Sequence, residues 1–294
     1  MDVMSTPQRS RGAGREPAPE AEYPLGDFLR AHRARLTPEE AGISSYGVRR
    51  VPGLRREELA RLAGVSANYY TRLEQGEATN PSASVIDALA RALRLDADAT
   101  VYLRGIVGTT APGTASAVSA ASEDGMALTF DRIVDLMPTT AALTLSQTND
   151  VLSHTPVAHE LFFAHLPPRD EPWNTHRLLF TDPHTRDLYR DWAREAALAV
   201  ASLRFHAAAH PGDPAVRALV GELSVTSGEF ATLWAEHPVR RCTRGVKHLT
   251  HPEFGDLDLE YQMLHAPDGD GRRILIHSAP PGTPTADALA LLAG

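Results

Sequence analysis

Between Leu25 and Ile106 the apolar residues fall at the three- and four-residue spacing that places side chains on one face of a helix. Leu25, Phe28 and Leu29 open the pattern. Glu57 to Ala63 follows with Leu59 and Leu62 expected inward, then Ser66 to Gln75, then Ser82 to Leu93 with Val85, Ile86, Leu89 and Leu93 on one face. A fifth helix is predicted over Ala97 to Ile106. Ser66 and Ser82 are suitable N-caps, Gly64 and Gly76 are suitable stops, and Pro81 forbids continuous helix there. The pattern predicts a compact all-helical bundle over 23–107.

Beyond residue 125 the signal changes to short alternating runs rich in β-branched residues. They lie at Ala141 to Leu145, Asp150 to His154, Arg244 to Leu249, Leu257 to His265 and Arg272 to Ser278. Helical patterns separate the second from the third, at Pro156 to Ala164, Thr185 to Ala209, Pro214 to Leu223 and Ser227 to Ala235. Strands, then helices, then strands imply an α+β domain with an antiparallel sheet and a helical insertion over 126–294. Residues 1–22 contain almost no large apolar side chain and read as a disordered arm. The Thr, Ala, Gly, Ser and Pro composition of 108–125 reads as a linker. The chain is therefore multidomain.

The charge is divided in a way that its total of −8 hides. Leu25 to Gly105 carries 12 Arg against 10 acids, whereas Ile106 to Gly294 carries 14 Arg and Lys against 23 acids. Only the first unit favours a polyanion, and its Arg49, Arg50, Arg55, Arg56, Arg61 and Arg72 form a basic stripe. No apolar run approaches a membrane span, and the first residues lack the apolar core of a secretory signal, so a cytoplasmic, nucleoid-associated protein is expected. One cysteine, Cys242, allows neither an intrachain disulfide nor a thiolate-pair zinc site.

Leu59 to Ser66 reads as a helix, a tight turn and the start of a second helix. Ala60 and Ala63 let helices approach, Gly64 takes the turn's positive φ, Val65 plugs the gap and Ser66 caps the next helix. Leu73 then points into the core beside Tyr70. Ala67, Asn68, Tyr69, Thr71 and Arg72 remain on the outer side, where a recognition helix meets base edges. Asn68 suits adenine, Arg72 suits guanine or phosphate, and Tyr69 or the Thr71 methyl suits a thymine methyl. Arg56 and Ser66 stand at helix N-termini that favour phosphate.

Leu59 to Gly76, with Pro81-Ser82 and Ile86 to Leu93, resembles the lambda-repressor-like, xenobiotic-response-element (Xre) class of helix-turn-helix regulators. Glu74 and Gly76 occupy the Glu-x-Gly end of that class's recognition helix. The stretch Gly47 to Glu58 narrows the resemblance to a subfamily whose partner domain is the MmyB-like ligand-binding domain. The similarity continues through Asn174, Arg177, Phe180 to Pro183, Tyr189 to Trp192, Leu203-Arg204, Trp234, Lys247, His251 to Gly255 and Pro281 to Thr283. It implies a PAS-like fold around an apolar pocket, with fatty-acyl ligands in some members. Where members commonly carry Trp-Asn, this chain has His154-Thr155, which makes His154 a further candidate pocket residue, a smaller and potentially charged ring in place of a large apolar one.

Phe162, Trp173, Phe180, Tyr189, Trp192 and Trp234 are candidate pocket residues, with core packing the competing reading. Arg177, Arg204, Arg244 and Lys247, the sole lysine, are candidates for an anionic head group. Expected partners are a small-molecule effector and an inverted-repeat operator in double-stranded DNA, gripped by a homodimer; coupling would run through domain orientation across the linker. The acidic domain could instead recruit a protein, which a filled core with an exposed apolar patch would favour over a closed cavity. No cofactor is expected. His206 and His210, or His248 and His251, have permissive metal spacing but no His-Glu-x-x-His motif accompanies them, and Gly-x-Ser-x-Gly is absent, so no enzyme is expected.

Overall fold

The computed structural model describes residues 24–43, 51–108, 129–210, 213–265 and 271–294. The arm, Arg49, Arg50 and nearly all of the linker lie outside them. The first unit is a bundle of α1 (Pro24–Arg35), α2 (Arg56–Ala63), α3 (Ala67–Glu74), α4 (Ala83–Ala92) and α5 (Ala97–Ile106). Local chemistry sets the boundaries. Gly64 closes α2 in the left-handed conformation at φ 68°, and Ser66 caps α3 by accepting from the Tyr69 amide at 3.1 Å. Asp96 caps α5 through the Ala99 amide at 2.8 Å.

Phe28, Leu29, Leu54, Leu59, Tyr70, Leu73, Ile86, Leu89 and Leu103 are fully buried. Each large apolar side chain withdrawn from water contributes about 1.5–3 kcal/mol before entropy is charged against it. Leu62 departs from expectation: it is 42% exposed, because α2 turns its Leu59–Ala63 side to the core and leaves Leu62 beside the turn. Gly26 is fixed by contact, since a Cβ there would lie 2.3 Å from the Glu74 carbonyl oxygen. That close approach seats α1 on the end of α3.

The second unit begins with α6 (Phe130–Asp135), β1 (Ala141–Leu145), β2 (Val151–His154) and α7 (Pro156–Phe162). Next come α8 (Thr175–Thr181), α9 (Pro183–Leu188), α10 (Trp192–Ala209), α11 (Pro214–Thr226) and α12 (Gly228–Ala235). The chain ends with β3 (Arg244–His251), β4 (Gly255–His265), β5 (Arg273–Ser278) and α13 (Pro284–Leu292). The sheet order is β2-β1-β5-β4-β3, antiparallel throughout. This is the expected α+β domain with its helical insertion between β2 and β3.

The helical pattern over Thr185 to Ala209 is not one helix. It breaks after Leu188, where Tyr189 bridges to Leu249 and the Arg190 amide donates to the His248 carbonyl at 2.9 Å. Those bonds to β3 satisfy the backbone where helix would otherwise have run, and α10 starts afresh at Trp192. On one sheet face, Ala142, Ile274 and Ile276 pack against Val134 of α6. The opposite face carries Leu143, Leu145 and Leu275 toward α7 and α10.

The two units touch directly. Phe205 and Ala208, at the end of α10, pack against the bundle's core, and α10 lies along α5. The Arg241 amide donates to Asp98 at 3.0 Å and its guanidinium lies 3.8 Å from the same carboxylate.

Candidate DNA-binding face and ligand cavity

The face of α3 is held by one buried carboxylate. Glu74 is 1% exposed and accepts from Arg33 Nε at 2.6 Å and from Arg56 Nε at 2.6 Å, tying α1 and α2 to the end of α3. Burial alone would raise its pKa, but the hydrogen bonds from the two arginines outweigh that and hold it below the usual glutamate value. The Glu-x-Gly end of α3 is thus part of the scaffold behind the outward face.

On that face Ala67, Asn68 and Arg72 are exposed, with Tyr69 and Thr71 half-buried. Arg72 lies 3.7 Å from Glu77, an exposed pair worth ~0–1 kcal/mol that leaves its guanidinium free to exchange partners. Thr71 Oγ1 donates back to the Ala67 carbonyl at 2.8 Å, which leaves its methyl group for apolar contact. Ser66 Oγ is occupied as the cap acceptor. Arg55 is exposed beside Glu57, whereas Arg56 has its Nε committed to Glu74.

In the second unit a cavity of about 110 Å³ lies between the sheet, α8–α9 and α10. Leu143, Leu145, Leu275 and Met263 form its floor; Phe162, Phe163, Leu178, Leu179 and Leu188 form one wall; Leu198, Ala199 and Ser202 of α10 form the other. Of the residues singled out by sequence, Phe162, Tyr189 and Lys247 line it. The others are off the wall. His154 stacks with Trp173 and lies 5.9 Å from Phe163 by ring centroids, so it backs the wall from behind. Phe180, Trp192 and Trp234 belong to a separate apolar cluster with α11 and α12, and Trp192 Nε1 donates to the Leu179 carbonyl at 2.9 Å.

The expected anion-binding cations are also engaged elsewhere. Arg177 is paired with Glu222 at 2.8 Å, and Arg204 donates to the Trp234 carbonyl while its guanidinium covers the Trp234 ring at 3.9 Å. Arg244 faces a cleft of about 350 Å³ between the two units, which shares Leu198, Cys242 and Tyr261 with the cavity. Lys247 does face the cavity, ion-paired with Glu195 and lying 5.0 Å from the Tyr261 ring centre. Burial would lower its pKa, but Glu195 reverses the sign and raises it, so the ammonium is retained.

Sequence reasoning missed several polar members of the wall: Asn149, His176, Glu195 and His277. His176 is 3% exposed, its Nδ1 2.9 Å from Asn149 Nδ2 and its Nε2 3.2 Å from the Ala199 carbonyl; burial pushes its pKa down to about 4. The alternation Arg273, Leu275, His277 along β5 was the available signal, since every second residue shares a face. Arg273 stands just beyond the lining, 2% exposed, bonded to His206, Asn149 and the carbonyls of Ser146 and Gln147. No group of three or more candidate metal-binding side chains occurs among the described residues, and His248 is taken by Asp258 at 2.7 Å.

A helix-turn-helix bundle with an open recognition face, joined to a sheet-and-helix domain with an internal cavity, defines a transcription regulator with a ligand-sensing domain. Residues 24–103 match a helix-turn-helix domain family, and residues 128–292 match the MmyB-like transcription regulator ligand binding domain. The chain belongs to the MmyB-like transcription regulators. Both matched domains are regulatory rather than enzymatic, and among the described residues no helix is long and apolar enough to cross a membrane. No curated protein matches the chain.

Proposed function

We propose that this chain binds an inverted-repeat operator as a homodimer and represses transcription, and that a small apolar molecule in the second domain's cavity alters its grip on DNA. The observation that carries the reading is the position of α10. Its Glu195, Leu198, Ala199 and Ser202 line the cavity, and its Phe205 and Ala208 pack into the core of the DNA-binding bundle. A ligand that shifts α10 therefore acts on the bundle through packed side chains, without relying on the linker. Coupling requires only that the ligand bind the two arrangements unequally.

Asn68, Arg72, Tyr69, Thr71 and Ala67 would read bases, with Arg49, Arg50, Arg55, the remaining donors of Arg56 and the N-terminus of α3 at Ser66 on phosphates. At about 110 Å³ the cavity is smaller than the ~300–1,000 Å³ of typical ligand pockets. It suits a compact ligand, and a long acyl chain would have to part α10 from the sheet.

The test is selection of DNA sites from a random pool by the full chain, then operator binding by fluorescence anisotropy with and without the small molecules extracted from the purified protein. The expected result is a palindrome with half-sites about one helical turn apart and an affinity that changes with ligand. Sequence-indifferent binding, or an operator affinity that no cavity ligand moves, would overturn the proposal.

A further inference from the structure

Inside the cavity one polar side chain is left without a partner. His277 is 1% exposed on β5, and neither ring nitrogen makes a hydrogen bond. The Ala141 backbone opposite it favours the charged ring, the smallest of the influences on it, without meeting the geometry of a hydrogen bond. The ring packs against Phe162 in a tilted arrangement, with centroids 4.9 Å apart. A buried group that can both donate and accept destabilises the fold when left unpaired, a cost that an apolar residue here would avoid.

The one charge that acts on the His277 ring is already ion-paired. Lys247 is neutralised by Glu195, and both face the same cavity. Burial first, and then the Lys247 charge, push the imidazole's pKa down to about 3, so it is a neutral donor and acceptor. A carboxylate entering beside it would find the lining's cation, Lys247, already paired with Glu195. Arg273, a nearby buried cation, has one terminal nitrogen on the turn carbonyls of Ser146 and Gln147, the other on His206 and its Nε unpartnered, but it stands outside the cavity lining.

We propose that His277 is the specificity-determining residue of the cavity, and that the effector is an uncharged apolar molecule carrying one carbonyl or hydroxyl oxygen that hydrogen-bonds to its imidazole. The inference rests on the cavity being the ligand site. It narrows the ligand class to compact ketones, alcohols, lactones or esters, and excludes free carboxylates.

The test uses three probes that share one six-carbon ring, cyclohexanone, cyclohexane and cyclohexanecarboxylate, titrated into the full chain by ligand-observed NMR. Their different costs of leaving water cancel when affinity ratios are compared between proteins. The ketone-to-hydrocarbon ratio is expected to fall about tenfold in His277→Leu, the equivalent of one lost buried hydrogen bond, and to be largely kept in His277→Gln. Cyclohexanecarboxylate is expected to bind at least tenfold more weakly than cyclohexanone to the unsubstituted chain, a comparison within one protein that includes the carboxylate's larger cost of leaving water. On that chain, the imidazole ¹⁵N resonances of His277 should move with cyclohexanone and stay in place with cyclohexane, a readout that survives if the variants fold poorly. An unchanged ratio with unmoved resonances, or preference for the carboxylate, overturns the His277 proposal alone. If none of the three probes binds, the ligand-cavity reading falls, and this inference with it.

Discussion

Replacing Glu195 by Gln isolates the electrostatics of the cavity. The Glu195 and Lys247 side chains are 15% and 12% exposed, so the pair is desolvated on both sides. Removing one partner of such a pair costs ~3–5 kcal/mol, because the other charge stays buried without compensation. Glutamine keeps one acceptor for the ammonium, which places Glu195→Gln near the lower end, about 3 kcal/mol. Trp173, Trp192 and Trp234 are the only three tryptophans and all lie in the second domain, so their fluorescence during urea unfolding reports that domain alone. The companion Glu195→Gln, Lys247→Met removes both charges and is expected to recover most of the loss.

The pH dependence gives a second check. In the parent protein Lys247 has a raised pKa, so the pair's contribution is fully present below the ordinary lysine value of 10.5 and is lost only as pH rises through the higher folded value. In Glu195→Gln the unpaired ammonium has a lowered folded value, so the variant gains stability as pH rises from 7 toward 10 and its deficit narrows. A cost below ~1 kcal/mol at pH 7, or a double variant no more stable than the single, would refute the argument that the charges are held by each other.

Glu74→Gln should destabilise the bundle by ~2–4 kcal/mol, measured by thermal unfolding of the bundle's helical signal, since Arg33 loses its buried counter-charge. Acidification should remove the same contribution as pH falls below 4.5 through the lower folded value of Glu74. Arg72→Ala should weaken binding to a selected operator by ~1–3 kcal/mol with unfolding unchanged, because the side chain is exposed on α3; undiminished operator affinity would remove it from the recognition surface. Gly26→Ala, which in an open helix would stabilise, should instead cost ~1–3 kcal/mol in the same unfolding assay because its Cβ meets the Glu74 carbonyl oxygen. Asp98→Asn should leave operator affinity without ligand within about threefold but reduce the ligand's effect on it, as the contact to Arg241 between the units is weakened.

Local chemistry made the DNA-binding unit legible. Gly64, Ser66 and the Leu59, Tyr70 and Leu73 positions set a turn, a cap and an inward face within twenty residues, and the outward face of α3 follows by subtraction. The role of Glu74 was not readable, because its partners Arg33 and Arg56 lie 41 and 18 residues away and only packing brings them together. Strand alternation likewise announced the sheet of the second unit.

The cavity belonged to tertiary structure. Helix-forming residues run on through Tyr189, and it is the bridge to Leu249 that separates α9 from α10, whose residues then face the sheet across the cavity. That break leaves Trp192 and Phe180 in a packed helical cluster and Glu195 beside Lys247, 52 residues away. Periodicity fixes which face of an element is apolar. Which apolar faces close on one another, and which buried polar groups find partners there, depends on long-range packing that no local spacing encodes.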